Sequence, residues 1–247
     1  MEEQLFTRHR FEIRRRTLSV LEKTRLTPNM IRFVMGGADL EGFESPAPDD
    51  HIKLVFPVAG EEKPVMREYT PRAYDAAAQT LVLDFAVHDA GPATQWAIDA
   101  NVGDTLTIAG PRGSAVLSPV FDWYLLIGDE TALPAMGRWV EEMAAGTQVI
   151  TLGLVTDAAE EQQFTSKAAL DARWLHRPDA TDAAPVLDAV AAIDLPAGRG
   201  FIWMAAEAKV ARALRDHFQH DRQHPLTDMK AAGYWTQGQA DTSDKAM

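Results

Sequence analysis

The chain has 247 residues, 46% of them hydrophobic and 24% charged, which is ordinary for a globular protein. Its formal net charge of −12 argues against general attraction to nucleic acid or to an anionic membrane. It contains no cysteine, which excludes disulfides, thiolate catalysis and cysteine-ligated iron–sulfur clusters within the chain. We expect a cytoplasmic protein without membrane insertion, because we find no signal peptide and no apolar run of about 18 residues. Because the chain has no cysteine to ligate an iron–sulfur cluster, electron transfer would need an organic cofactor.

The first half of the chain predicts short β-strands with no long helix among them. The strands are expected at residues 17–24, 30–35, 51–56, 67–72, 80–88 and 104–109. Alternation of apolar and polar residues supports the assignment, as at Leu81, Leu83 and Phe85. Six such strands predict a small antiparallel β-barrel, which forms a first domain of residues 1–118.

One predicted helix, residues 91–100, interrupts this series of strands. Pro92 suits a first helical turn, and Gly91 before it permits a close approach of another group. A helix N-terminus presents unpaired N–H groups and the positive end of the helix dipole. The segment therefore predicts an anion site.

The second half of the chain predicts strands that alternate with helices. The strands are expected at residues 123–127, 148–155, 172–176, 201–206 and 229–235, and the helices at about 131–145, 183–193 and 207–220. This order predicts a Rossmann-like parallel sheet with crossover helices in a second domain, residues 119–247. The loop after the first of these strands, residues 128–131, lies where open α/β sheets bind nucleotides.

Two short motifs carry a first resemblance. Arg67-Glu68-Tyr69-Thr70 resembles the Arg-x-Tyr-Ser/Thr flavin motif of the ferredoxin-reductase superfamily, and Gly91-x-x-Thr94 resembles its Gly-x-x-Ser/Thr phosphate motif. The resemblance implies that Arg67 and Thr94 bind the flavin phosphates. It also implies that Tyr69 stacks on the isoalloxazine ring and that Thr70 hydrogen-bonds near its reactive nitrogen. An arginine suits phosphate because its planar guanidinium donates two hydrogen bonds at once.

A second resemblance is more specific. The segment Gly-Asp-Glu-Thr-Ala-Leu-Pro-Ala, which starts at residue 128, resembles the variant nucleotide loop of the siderophore-interacting protein family. Further agreement lies at residues 84–88, 91–93, 110–113, 205–207 and 233–235. The family comprises flavin-dependent ferric-siderophore reductases, which implies FAD on the barrel, NADPH or NADH on the second domain and a ferric siderophore as substrate. A flavin can accept a hydride and release the single electrons that Fe(III) takes.

The resemblance also implies individual site residues. The cofactor-binding set comprises Arg67, Tyr69, Thr70, Val87, His88, Gly91, Pro92, Ala93, Thr94, Trp96, Asp129, Thr131, Ala132, Glu207 and Trp235. No side chain is expected to be catalytic, since the flavin is the redox centre. Lys53, Arg138 and Lys230 resemble the family's basic triad and are expected to bind an anionic ferric chelate. The histidines at 217, 220 and 224 are expected on a solvated helix face, without a metal ion.

Alternatives remain open for the function and for the electron donor. A general flavin or ferredoxin reductase and a non-catalytic ferric-siderophore binding protein are the competing functions. Asp157 favours the ribose hydroxyl of NADH, whereas Lys209, Arg212 and Arg215 suit the extra phosphate of NADPH. Ferredoxin is a third possible donor.

Overall fold

The computed structural model describes residues 5–58, 60–88 and 91–239 and divides into two compact units, Met1–Pro119 and Val120–Met247. The first unit contains β1 (Phe6–Arg10), β2 (Arg15–Thr27), β3 (Met30–Gly36), β4 (Ile52–Phe56), β5 (Val65–Tyr69), β6 (Ala73–Asp75), β7 (Thr80–Ala86), α1 (Pro92–Asp99), β8 (Thr105–Ala109) and β9 (Gly113–Leu117). No helix of the described residues is both long enough and apolar enough to cross a membrane.

Seven strands of the first unit form one antiparallel sheet in the order β5-β4-β8-β2-β3-β7-β6. The six predicted strands all belong to it, and β6 is an additional seventh strand. The predicted strand 67–72 ends at Tyr69 in the structure, and Pro71, which has no N–H to donate, lies between β5 and β6. The expected count of six strands is therefore one too low.

The core of the first unit follows the predicted alternation. Leu81, Leu83 and Phe85 of β7 are fully buried, as a strand with one face toward the core requires. Helix α1 covers part of this core with Ala93 and Ala97. A second sheet, the antiparallel pair β1–β9, lies outside the predicted strands.

The second unit is a parallel sheet covered by helices, which confirms the predicted α/β class. It contains β10 (Trp123–Asp129), α2 (Leu133–Glu142), β11 (Gln148–Val155), β12 (Ala169–His176), α3 (Ala184–Ala191), β13 (Gly200–Glu207), α4 (Ala208–Asp216) and β14 (Met229–Trp235). The strand order is β12-β11-β10-β13-β14, and every pairing is parallel. All residues of β10 and β13 are buried, as expected for central strands covered on both faces.

Helix α2 begins close to the end of β10 because residue 128 is a glycine. A Cβ at Gly128 would lie 2.9 Å from the Ala132 Cβ and 3.0 Å from the Met136 Cε, so a larger residue would push α2 away. Helices α3 and α4 pack on the opposite face through side chains such as Val190 and Leu214. Because β10, β13 and β14 are parallel neighbours, their carboxyl ends lie together at one end of the sheet.

Candidate functional site

Arg67 and Tyr69 lie on edge strand β5 with their side chains on the core face of the sheet. In the β4–β5 ladder, Leu54 is opposite Arg67 and Ile52 is opposite Tyr69. Opposed residues of an antiparallel pair share a face, and both partners on β4 belong to the core. Arg67 and Tyr69 are half-buried there, at the open edge of the sheet.

The Arg67 guanidinium retains open hydrogen-bond donors. Its Nη1 donates to the carbonyl oxygen of Met66 at 2.8 Å. Within residues 5–58, 60–88 and 91–239, no carboxylate forms an ion pair with Arg67. A half-buried cation with free planar donors suits a phosphate ligand.

Tyr69 joins an aromatic cluster that reaches α1. Its ring centroid lies 4.5 Å from that of Phe85, and the Phe85 centroid lies 5.5 Å from that of Trp96. Burial raises the pKa of the Tyr69 hydroxyl, and the nearby Arg67 opposes this shift. The hydroxyl is therefore neutral at physiological pH. Thr70, the next residue, is buried.

The N-terminus of α1 has the open donors that the sequence predicts. Gly91 is its N-cap in an extended conformation, no side chain of residues 5–58, 60–88 and 91–239 caps the helix, and Pro92 occupies the first turn. A Cβ at Gly91 would meet no described atom within 4 Å, so a ligand has room to approach. Ala93 and Thr94 are buried in this turn. The arrangement fits a helix N-terminal anion site.

A groove of about 370 Å³ runs along α1 from this N-terminus. Its lining residues are Phe56, Pro57, Pro92, Gln95, Trp96, Asp99, Ala100 and Asp104. The half-buried Trp96 ring lies between this groove and the core, where its centroid is 5.0 Å from that of Phe33. The groove has the size of small-molecule sites, which span about 300–1,000 Å³.

The two predicted residues after β7 differ in exposure. Val87 donates its N–H to the Asn29 carbonyl oxygen at 2.8 Å and packs against the first core. His88 is exposed. Val87 thus supports the strand end, whereas His88 presents its imidazole at the surface.

A buried ion-pair network near β5 was absent from the predictions. Asp84 is almost fully buried, and both its oxygens accept hydrogen bonds of 2.7 Å from Arg32. The Arg72 Nε lies 3.7 Å from the same carboxylate. These contacts hold the chain that follows Thr70. An aspartate within an apolar strand pattern was the available sequence signal.

In the second unit, Asp129 is the centre of a closed hydrogen-bond network. Its Oδ1 accepts bonds from the Thr131 N–H at 3.0 Å and the Thr131 hydroxyl at 2.6 Å. Its Oδ2 accepts bonds from the Glu207 N–H at 2.9 Å and the Trp235 Nε1 at 2.8 Å. The carboxylate is fully buried and its oxygens face the protein. It holds the ends of β10, β13 and β14 together.

Glu207 is equally enclosed. Its Oε2 caps α4 by accepting bonds from the N–H groups of Lys209 at 2.6 Å and Val210 at 3.4 Å. Its Oε1 accepts a bond from the Gln237 N–H at 3.3 Å. Asp129, Thr131 and Glu207 thus all form hydrogen bonds within the protein. Their contacts with a cofactor stay predictions. Trp235 is half-buried at the carboxyl end of the sheet, and Ala132 is buried.

Glu130 is the second carboxylate of this loop. Burial raises its pKa, and the neighbouring Asp129 raises it further. Thr156 donates its hydroxyl to Glu130 Oε1 at 3.4 Å. Ionised Glu130 is therefore less favourable here than in water.

The three predicted chelate-binding residues have different environments. Lys53, on the outer face of β4, has a 42% exposed side chain, with its Nζ 3.9 Å from Glu68 Oε1. Arg138 is 6% exposed and donates from Nε to Glu142 Oε1 at 2.8 Å. Lys230 is half-buried opposite Trp203 in the β13–β14 ladder. The first belongs to the first unit and the other two to the second. Arg138 is thus a buried partner of Glu142, not a free surface cation.

Two of the histidines near the end of α4 form hydrogen bonds with residues four positions later in the chain. His217 Nδ1 lies 2.9 Å from Asp221 Oδ2, and His224 Nε2 lies 3.1 Å from the Asp228 carbonyl oxygen. In the described part of the chain, no group of three or more His, Cys, Asp or Glu residues is arranged to hold a metal ion.

Comparison with known proteins extends the resemblance over most of the chain. The model of the "Siderophore-interacting protein" family matches residues 121–238, and that of the "Siderophore-interacting FAD-binding domain" matches residues 19–66 and 58–115. The NADPH-dependent ferric-chelate reductase of Escherichia coli is 36% identical over 92% of this chain and 95% of that protein. The ferric vibriobactin reductase ViuB of Vibrio cholerae is 30% identical over 90% of each chain.

A solved structure agrees with these relatives. The crystal structure of a siderophore utilization protein from T. fusca has a TM-score of 0.89 and 34% sequence identity, covering 98% of this chain and 100% of that one. The chain belongs to the siderophore-interacting protein family.

Proposed function

We propose that this protein is an FAD-dependent ferric-siderophore reductase that takes electrons from NAD(P)H. The observation that carries the proposal is the pair of open anion-binding elements in the first unit. These are Arg67 and the start of α1, for which the described residues provide no carboxylate partner and no capping side chain, respectively. The names of the relatives in Escherichia coli and Vibrio cholerae support ferric-chelate reduction.

The residues present fit FAD in the first domain, residues 1–118. Arg67 and the first turn of α1, with Thr94, hold the two phosphates. Tyr69 and Thr70 orient the isoalloxazine ring at the edge of the sheet. The groove beside Trp96 accommodates the adenosine half, because it starts at the helix N-terminus and has the volume of a ligand site. Bound FAD accepts a hydride from the nicotinamide and supplies single electrons to Fe(III).

The second domain, residues 119–247, binds the nicotinamide nucleotide at the carboxyl edge of its sheet. Asp129 and Glu207 position Trp235 there through the hydrogen bonds described above. We favour NADPH over NADH because Lys209 and Arg212 are exposed on α4, immediately after Glu207. The name of the Escherichia coli relative supports the same donor.

The ferric siderophore is the substrate, and Lys53 is the first-unit residue proposed to attract it. Fe(III) is a harder ion than Fe(II), so reduction weakens binding by catecholate or hydroxamate oxygens. Iron is then released where the donor is made, and we therefore retain a cytoplasmic location within the proposal.

Steady-state assays with a chromogenic Fe(II) trap test this function. FAD-loaded protein is given NADPH or NADH and a ferric tricatecholate, a ferric trihydroxamate or free riboflavin as acceptor. We expect Fe(II) to form from a ferric chelate, faster with NADPH. Riboflavin reduction without Fe(II) formation would assign a general flavin reductase. Chelate binding by a protein that takes up no FAD would assign a binding protein.

A further inference from the structure

A group of exposed arginines stands out on this acidic chain. We call it the arginine surface, and it consists of Arg8, Arg10, Arg14, Arg15 and Arg112. All five side chains belong to exposed residues, although the whole chain carries a net charge of −12. Glu12 is the only acidic residue between positions 5 and 16. Four of the five arginines therefore lie in one short stretch of the sequence, and Arg112 lies outside it.

Two of these arginines lie on β1 and project away from the body of the unit. In the β1–β9 ladder, Arg8 is opposite Ala115 and Arg10 is opposite Gly113. Strand residues two apart share a face, so both point to the same side. The other face carries Ser114, whose hydroxyl accepts a bond from the Ala47 N–H at 3.1 Å and is buried. The arginine face is therefore the solvent face.

Backbone hydrogen bonds bring the segments that carry Arg14 and Arg112 together. Phe11 donates its N–H to the Arg112 carbonyl oxygen at 3.0 Å. Gly110 donates to the Arg14 carbonyl oxygen at 3.2 Å. The segment that leads from β1 into β2 thus runs beside the segment between β8 and β9, and the two contribute to one surface.

The arginine surface continues to Lys53. Arg15 is opposite Ala109 in the β2–β8 ladder, and Lys53 is opposite the same Ala109 in the β4–β8 ladder. The three residues therefore share the outer face of three adjacent strands. Strands are spaced about 4.8 Å apart, which puts the Cα atoms of Arg15 and Lys53 about 10 Å apart. The small side chain of Ala109 stands between them on this face, and on the other side Lys53 Nζ lies 3.9 Å from Glu68 Oε1. An anion that reaches Lys53 competes with this partly exposed ion pair, which contributes little.

Little internal charge neutralises these groups. Among these five arginines, the described part of the chain shows one ion pair, in which Arg14 Nε lies 3.6 Å from Glu12 Oε2 and both side chains are largely exposed. Such an exposed pair contributes little. The charge surplus is therefore available to a ligand, whereas an anion approaching elsewhere meets a net negative protein.

The charge pattern favours a compact ligand over a long polyanion. The field of exposed charges decays over about 8–10 Å at moderate salt. A small multivalent anion can lie within that distance of several guanidinium groups. A nucleic acid or a membrane would extend beyond the surface and meet the acidic remainder of the protein.

We propose that the arginine surface captures anionic ferric chelates of the catecholate class and delivers them to Lys53. The proposal rests on the proposed reductase function and adds a capture surface to it. A neutral ferric trihydroxamate gains nothing from this surface, so the enzyme distinguishes chelates by charge at capture.

Binding of redox-inert gallium(III) chelates tests the proposal without catalysis. The test variant is Arg8→Gln with Arg10→Gln, and the matched control is Lys63→Gln with Lys167→Gln, two exposed lysines that are not members of this surface. Both pairs remove two positive charges. Calorimetric titration of the FAD-loaded proteins uses a gallium tricatecholate and a neutral gallium trihydroxamate, at 20 mM and 500 mM salt.

We expect the test variant to bind the tricatecholate about threefold to tenfold more weakly than the control variant at low salt. The difference should shrink at high salt, and trihydroxamate binding should not change. Equal affinities of the two variants for the tricatecholate would overturn the proposal, as would equal losses for both chelates. Failure of the reductase function appears separately, as wild-type protein that produces no Fe(II) from either ferric chelate.

Discussion

At the edge of the antiparallel sheet, Arg67 and the first turn of α1 keep open donors among the described residues. At the carboxyl end of the parallel sheet, Asp129 and Glu207 bind other groups of the protein with both oxygens. The first arrangement suits a tightly held anion, because little internal bonding must be broken when the ligand arrives. The second stabilises the fold and orients Trp235, which suits a donor that binds and leaves in each turnover.

Asp129→Ala should have the largest effect on stability. The change leaves the Glu207 N–H and the Trp235 Nε1 without their acceptor inside a buried network. We expect a loss of about 3 kcal/mol in the free energy of unfolding of the second unit, measured by urea titration with tryptophan fluorescence. FAD affinity should stay within about twofold of wild type. The stability of Asp129→Asn, which keeps one oxygen acceptor, should lie between those of wild type and Asp129→Ala. A loss below about 1 kcal/mol for Asp129→Ala would contradict the stabilising role of the network.

Arg67→Ala should affect ligand binding and leave the fold intact. Loss of a charge-assisted hydrogen bond to phosphate costs about 1.5–3 kcal/mol, so FAD should bind about 10-fold to 100-fold more weakly. The free energy of unfolding of the flavin-free protein should change by less than about 0.5 kcal/mol, since the Arg67 side chain hydrogen-bonds only the Met66 carbonyl oxygen among the described residues. Fluorescence titration with FAD gives the affinity, with Arg25→Ala as the matched arginine control. Unchanged FAD affinity would remove Arg67 from the site.

Glu130→Gln should have the smallest effect, with a sign that depends on pH. The pKa of Glu130 is raised in the folded protein, so its favourable contribution is complete below the ordinary glutamate pKa and lost as pH rises through the folded value. The variant should therefore be more stable than wild type at pH 7. The difference should vanish near pH 4. Thermal unfolding at both pH values measures it, and a variant less stable than wild type at pH 7 would show that the carboxylate is stabilising.

Short-range patterns allowed the sequence to predict most of the fold. Apolar alternation located strands of the seven-stranded sheet, and compact apolar runs located the buried central strands of the parallel sheet. Strand β6 has three residues, too few to show a period, and β1 reads Phe-Thr-Arg-His-Arg, which lacks apolar alternation. Its partner β9 lies about a hundred residues further along the chain. Such a pairing leaves no local signal.

In the candidate site, too, local motifs could be predicted from the sequence and long-range contacts could not. Arg67, Tyr69 and Thr70 are contiguous, so their motif was visible in the sequence. The bonds from Asp129 to Glu207 and Trp235 span 78 and 106 residues, and only folding brings these groups together. The ion pair of Arg138 with Glu142 could have been predicted, since Glu142 stands four residues later on the same helix.

A stepwise anaerobic titration of flavin-free protein tests the central claim most directly. FAD is added first, then NADPH, then a ferric tricatecholate, and the visible absorption of the flavin is recorded throughout. We expect one FAD to bind per chain, NADPH to bleach its absorption, and the ferric chelate to restore it while Fe(II) appears in the trap. A chain that binds no FAD, or a bleached flavin that the ferric chelate fails to restore, would contradict the proposed electron path.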